Sequence, residues 1–405
     1  MRTRTSLLFV VFVTCLFLVQ VAALSPSMAQ QAKKDKSEIT IGFPMNLTGR
    51  MAPQAAGHMQ ANELWAEMVN EKGGIHVPEY GKKIPVKLVY YDSKSESATA
   101  ARIFEKLVTE DKVDVVFSPQ GTADHFAVAP LAEKYKVPVV GSTAASVKIR
   151  DMKAQYFWFT SPLADSFMKA LVGLVKDLKV KKVAIIYAQE LFTRENLQFL
   201  DPYAKEAGFE VVLHKDYPAA EKDLTTLLSE IKGKDPEAVL ALCYAPDSFT
   251  MTAQAQEVGL NPKLFYQLIG PAAVAYGPKF GPAAEGIACM GHWSPKMKYA
   301  GAKEFNDRYM KKFNAAPDYL NSALGFIAAQ VMQQAIEKVG LDREKLRACI
   351  ASTEFSTING PVKYTGVESS IPGMVLQYQK GEKEIIWPPE YATAKPLFPK
   401  PAWPK

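Results

Sequence analysis

Along the chain, short apolar runs alternate with small polar loops and with stretches whose apolar residues recur at helical spacing. The clearest instance runs from Val113 to Arg150. Val113–Phe117 is an apolar β-type run, Ser118–Thr122 a turn cluster, and Ala123–Tyr135 carries Phe126, Val128, Leu131 and Ala132 at helical spacing. Val137–Val140 is a second buried run, followed by the loop Gly141–Ser146. This is a βαβ unit, whose strands are parallel. Both loops then leave the carboxyl ends of neighbouring strands, where open α/β sheets bind ligands. Hydroxyls of Thr122, Ser142, Thr143 and Ser146, with free backbone N–H groups, are placed to converge on a small polar or anionic group. The same residue types are also ordinary βα-turn chemistry.

The pattern extends in both directions. Ile39–Phe43 is a first strand, and Pro53 opens a helix that runs to about Asn70 and stops at Gly73-Gly74. Ile84–Tyr91 reads as a strand, and Ser97–Thr109 as a helix capped by Ser95 or Ser97. After the aromatic run Tyr156–Thr160 the alternation restarts. Strands are expected at 183–187, 209–214, 238–243 and 264–267, and helices at 164–178, 196–207, 223–231 and 247–258. Beyond Ile287–Met290 come helices at Ala302–Phe313, Tyr319–Val339 and Arg343–Ala351, then a terminal hairpin of Pro361–Tyr364 with Gly373–Tyr378. The fold class is α/β, with two doubly wound, parallel-sheet lobes. Lobe I takes residues 38–158 plus 292–359, lobe II takes 159–291 plus 360–387, and 388–405 is a Pro-rich C-terminal tail.

Residues 1–29 have a different pattern. A basic Met1–Arg4, an almost unbroken apolar run from Leu7 to Val21, and Ser27-Met-Ala29 make a secretory signal peptide, cleaved after Ala29. Export places the protein in the periplasm. Of the four cysteines Cys15 lies in that leader, and Cys243, Cys289 and Cys349 sit in apolar surroundings as buried free thiols. The five histidines are scattered, which argues against a zinc site. A net charge of +6 spread without a basic block gives no case for nucleic-acid binding, and no cofactor motif is present.

An enzyme needs a nucleophile, an acid/base pair or a cofactor loop. No G-x-S-x-G elbow, P-loop or G-x-G-x-x-G follows a strand here, and Asp92 and Asp124 lack a partner in sequence. Asp92 reads as a helix or loop cap. Phe192 and Tyr244 follow strands of the second half and could close over an apolar ligand part. A secreted α/β enzyme using Asp92 or Asp124 and a sensor ectodomain stay open as rivals to a binding protein.

The chain resembles the periplasmic solute-binding components of ABC importers of the leucine/isoleucine/valine-binding type. The resemblance is carried by Pro44-Met-Asn-Leu-Thr-Gly49, Asn70-Glu-Lys-Gly-Gly-Ile75, the double loop 118–122 and 141–146, Gln254–Leu260 and Ala283–Ile287. It implies two lobes joined by a three-stranded hinge, a monomer that traps a ligand on closure, and an importer permease as partner. It places the ligand-carboxylate hydroxyl at Thr122 beside Gly121, loop contacts at Thr143 and Ala145 flanked by Ser142 and Ser146, and aromatic contacts at Phe192 and Tyr244. In the amino-acid binders a carboxylate meets the ligand ammonium in the stretch matching Gln267–Ala272, where Gly270 completes the candidate set. Between Lys263 and Glu285 this chain has no Asp or Glu, and an unpaired buried ammonium is costly. The expected ligand is therefore a small carboxylate, aromatic or aliphatic. A branched-chain or other apolar amino acid is the alternative.

Overall fold

The computed structural model describes residues 36–404. The leader, its cleavage site and Cys15 lie outside the described residues. The second half of the chain builds a seven-stranded sheet in the order Glu382–Trp387, Met374–Gln379, Ile287–Gly291, Leu264–Gln267, Ala238–Leu242, Lys182–Ala188, Glu210–Tyr217. The last five of these run parallel, and the first two form an antiparallel hairpin. Ala238–Leu242 is buried throughout, and Val183–Ile186 likewise. Helices cover both faces of such strands, which is why they read as unbroken apolar runs.

The first half forms two parallel pieces: Val86–Asp92, Ile39–Met45 and Val115–Val116 in one, and Val139–Gly141 beside Phe157–Phe159 in the other. Pro85 interrupts the expected Ile84–Tyr91 strand, leaving Lys82–Ile84 to pair with Ile75–Val77 instead. The helices Ala52–Glu71 and Asn321–Val339 pack on this half almost backbone to backbone. A Cβ added at Gly325 would lie 2.4 Å from the His58 ring, and one at Gly57 would lie 2.6 Å from Ser322 Oγ. That close approach brings the first turns of both helices to the same point.

Three expectations need correction. The terminal hairpin pairs Met374–Gln379 with Glu382–Trp387 across Lys380-Gly381, both at positive φ as a tight two-residue turn requires. Gly360–Val362 pairs instead with Phe355–Thr357. Tyr364–Thr365 and Glu368–Ser369, expected in the second lobe, join the first-half sheet through Glu368 opposite Phe159. The boundary drawn at 359/360 therefore sits before these strands rather than after them, because such short strands carry no periodic signal. The chain passes between the two sheets three times, after Phe159, after Gly291 and after Ser369.

The tail is strapped to the second sheet. Leu397 exchanges two hydrogen bonds with the Gln377 amide (2.7 and 3.0 Å), Lys400 N–H donates to Lys263 O (2.7 Å), and Trp403 Nε1 donates to Leu260 O (2.9 Å). Cys243, Cys289 and Cys349 are buried and free. Among the described residues no helix is long and apolar enough to cross a membrane.

Candidate functional site

Five helices aim their N-termini at one cleft between the two sheets. They begin at Ala52, Thr122, Leu191, Ala245 and Asn321, and in none does the N-cap side chain cap the first turn, although at the last the buried Asp318 carboxylate accepts from Leu320 N–H (2.7 Å) and Asn321 N–H (2.8 Å). The N-cap residues Met51, Gly121, Tyr244 and Leu320 line an inner cavity of about 30 Å³, and Glu190 lines an adjoining crevice of about 210 Å³. Each helix N-terminus carries roughly half a positive charge, so their convergence favours an anion. Among the described residues, no Asp, Glu, Lys, Arg or His lines the inner cavity. Its walls are Met51, Phe192, Tyr244, Ile269, Met290, Leu320 and Leu324, with Gln54, Gln120, Thr122, Thr143, Ser161 and Asn321 as polar groups.

Two hydroxyls are poised as donors. Gly121, at φ +90°, turns the chain so that its N–H donates to Thr143 Oγ1 at 2.9 Å. Ala145 N–H reaches Thr122 Oγ1 at 3.4 Å. Both oxygens thus accept from the backbone, and both hydroxyls, on residues that line the cavity, keep a proton to donate. Gln54, 1% exposed, has its Oε1 without a partner at the same wall.

Behind this wall runs a buried hydrogen-bond chain whose direction is forced. Burial pushes the His58 pKa down to about 4, so the ring is neutral with one donor. Nδ1 donates to Gln120 Oε1 (2.9 Å), which leaves Nε2 to accept from Ser142 Oγ (3.2 Å). Ser118 and Ser142 hydroxyls meet at 2.8 Å. Gln120 Nε2 donates to Asn321 Oδ1 (3.0 Å) and Asn321 Nδ2 to Asp318 Oδ2 (2.6 Å). The two ligand-facing loops are thereby tied to the helices Ala52–Glu71 and Asn321–Val339.

Of the candidates read from sequence, Gly121, Thr122, Thr143, Ala145, Phe192 and Tyr244 come together around the inner cavity. The Phe192 and Tyr244 ring centroids are 5.8 Å apart in the lining of the same cavity. Phe192 is there because its helix begins at Leu191, five residues before the expected start. Three candidates face elsewhere. Ser142 is consumed in the buried chain, and Ser146 caps the turn Val147–Met152 through Lys148 N–H (3.3 Å). Gly270 is a packing glycine, since a Cβ there would fall 2.0 Å from Ser248 Cβ. Asp92 caps the Leu47–Thr48 loop, accepting from both N–H groups (3.1 Å each) and the Thr48 hydroxyl (2.6 Å). Asp124 accepts from Ser97 Oγ (2.6 Å) and Asn46 Nδ2 (3.1 Å), while burial raises its pKa.

Sequence reasoning missed Arg50. It lines the outer crevice, forks onto both Glu190 oxygens (Nη2 at 2.9 Å), and reaches Asp247 Oδ2 at 3.4 Å. Its guanidinium lies 5.5 Å over the Tyr244 ring. Burial raises the Asp247 pKa, against the pull of Arg50. Gln54, Met51 and Leu324 were also missed. Their only sequence signal is a place near a helix start.

Residues 38–371 match the periplasmic binding protein family. The Leu/Ile/Val-binding protein homolog 7 of Brucella suis biovar 1 (strain 1330) is 23% identical over 95% of this chain and 99% of its own length. Two solved structures share the fold. The branched-chain amino acid transporter substrate-binding protein of Streptococcus pneumoniae in complex with isoleucine has a TM-score of 0.76 at 21% identity, over 87% of this chain and 100% of that one. An ABC transporter solute-binding protein of R. palustris in complex with benzoate has a TM-score of 0.76 at 18% identity, over 90% and 98%. With the family match spanning most of the chain and the fold shared over 86–87% of it, this protein belongs to the periplasmic binding protein family and has its type I architecture.

Proposed function

We propose that this exported binding protein traps a small carboxylate, aromatic or aliphatic, in the cleft and delivers it to the membrane permease of an ABC importer. The observation that carries the ligand class is the meeting of the Thr122 and Thr143 hydroxyls and the first turn of the Thr122 helix on a cavity lined, among the described residues, by no charged side chain. An ammonium entering that cavity would find no counter-charge. Of the two carboxylates lining the outer crevice, Glu190 is held by Arg50 and Asp124 by Ser97 and Asn46. The apolar wall of Phe192, Tyr244, Ile269 and Leu324 suits a ring or a branched chain.

The reading is capture, not conversion. Asp92 and Asp124, the carboxylates an enzyme would use, are committed to loop amides and to Ser97 and Asn46. The inner cavity of about 30 Å³ holds about one water, so a ligand enters only when the walls part. Lobe I in this reading is residues 38–159 plus 292–369, lobe II is 160–291 plus 370–404, and the three chain passages are the hinge. Relatives named as binding isoleucine and benzoate bracket the two ligand classes, amino acid and plain acid. A thermal-shift screen of carboxylic acids against their amino-acid counterparts tests the assignment. Stabilisation by the acids supports it, and stabilisation by the amino acids alone returns the ligand to the branched-chain class.

A further inference from the structure

We infer that Arg50 is a closure latch that joins the two walls of the cleft. The observation is geometric. Arg50 lies in the loop after the first strand, on the first-sheet side. Glu190 and Asp247 stand at the starts of two helices that follow strands of the second sheet. The guanidinium meets Glu190 through both nitrogens, with Nη2 at 2.9 Å, and the same Nη2 reaches Asp247 at 3.4 Å. The planar fork is matched to a carboxylate in this bidentate way, and a lysine could not replace it.

Three features separate this contact from a surface ion pair. The Asp247 side chain is fully buried, and its other hydrogen bond comes from Ala220 N–H at 2.7 Å. The Arg50 side chain is 30% exposed and that of Glu190 17%, so the pair is only partly screened by solvent. Tyr244, a wall of the inner cavity, is covered by the guanidinium at 5.5 Å. Parting the walls therefore breaks the fork, uncovers Tyr244 and leaves Asp247 without its cation. The latch lies at the outer crevice, beyond the inner cavity, so a captured ligand cannot leave along this side until it opens. Arg50 acts on closure and release, not as the ligand's counter-ion. The inference stands whatever the ligand is.

The test uses the full mature chain with spin labels on cysteines placed at the exposed positions Glu96 and Lys222, one on each side of the cleft. The native cysteines are buried. Without ligand, the latch predicts a short, narrow inter-label distance that lengthens in R50Q, in E190Q and in 1 M salt, and that the exchange R50E/E190R shortens again. Release of benzoate, used as the probe acid, speeds up about tenfold in either single variant, equivalent to ~1.4 kcal/mol. A melting temperature of R50Q close to wild type shows that the variant is folded, and E190Q provides the same test from the other wall. Unchanged distances in both variants overturn the latch. So does tighter benzoate binding in E190Q with weaker binding in R50Q, which would make Arg50 the carboxylate's partner. If neither benzoate nor 4-methyl-2-oxopentanoate binds, the carboxylate reading fails while the distances still decide the latch.

Discussion

Replacing Thr122 by alanine removes one hydroxyl from the first turn of its helix. In the structure that hydroxyl accepts a single long bond from Ala145 N–H at 3.4 Å. Losing so weak a bond costs stability little, at most ~1 kcal/mol. In the complex the same hydroxyl is placed to donate to a carboxylate, and a hydrogen bond to a charged group is worth ~1.5–3 kcal/mol. Part of that loss is recovered, because Ala145 N–H is released and faces the same cavity. The net expectation is ~1–2.5 kcal/mol, or a Kd raised about 5- to 70-fold. Titration calorimetry with the tightest-binding acid from the screen, on wild type and Thr122→Ala, measures it directly. Thr122→Ser should restore most of the affinity, since it keeps the hydroxyl and loses only a methyl. An unchanged Kd in the alanine variant would remove Thr122 from the site. A large fall in melting temperature without ligand would mean that the hydroxyl is structural.

Two further outcomes separate packing from binding. Gly270→Ala should destabilise the fold by ~1–3 kcal/mol through its clash with Ser248 and leave the acid's affinity per folded molecule unchanged; a changed affinity with unchanged stability would return Gly270 to the site. Burial depresses the pKa of His58 and His292 to about 4 and of His125 to about 3, while the unfolded chain takes up these protons near 6.5. The stability they contribute is thus complete above pH ~6.5 and falls as the pH drops towards 4, by up to ~1.4 kcal/mol per unit for each histidine. The raised carboxyls Asp124, Asp247 and Asp318 work the other way, being relieved as the pH falls towards their own range. Unfolding free energies from urea titrations at pH 7.5 and 5.0 should differ by more than ~2 kcal/mol, and equal values would refute the assignment of three neutral buried histidines.

The architecture was legible where burial imposes a period. The strand–helix–strand order of residues 113–150 and the helices Ser97–Thr109 and Ala302–Phe313 follow from apolar spacing, but the expected pairing does not: Val115–Val116 lies beside Ile39–Met45 and Val139–Gly141 beside Phe157–Phe159, in separate pieces of sheet. The site was legible only in part, because loops have no period. Thr143 faces the cavity while Ser142, its neighbour, is turned into the wall by His58, and nothing in Gly141–Ser146 distinguishes the two hydroxyls. Gly270 looks like a ligand-loop glycine until the Ser248 side chain is placed against it. Arg50 was invisible for a different reason. Its partners Glu190 and Asp247 are 140 and 197 residues away in sequence, so only the assembled cleft brings them together. The strands Tyr364–Thr365 and Glu368–Ser369 are two residues each, too short for alternation to show.

The central claim is that the cleft takes a carboxylate without an α-ammonium. The most direct measurement is calorimetric competition between leucine and 4-methyl-2-oxopentanoate, with benzoate as the aromatic comparison. The two aliphatic ligands share the same side chain and carboxylate and differ at the α-carbon, where one carries an ammonium and the other a ketone oxygen. With no charged side chain lining the inner cavity, the ammonium should cost several kcal/mol, so the oxo acid or benzoate should bind at least 100-fold more tightly than leucine, which is ~2.7 kcal/mol. Tight binding of leucine with no detectable binding of either acid would contradict the account and require Glu190 to leave Arg50 for the ligand.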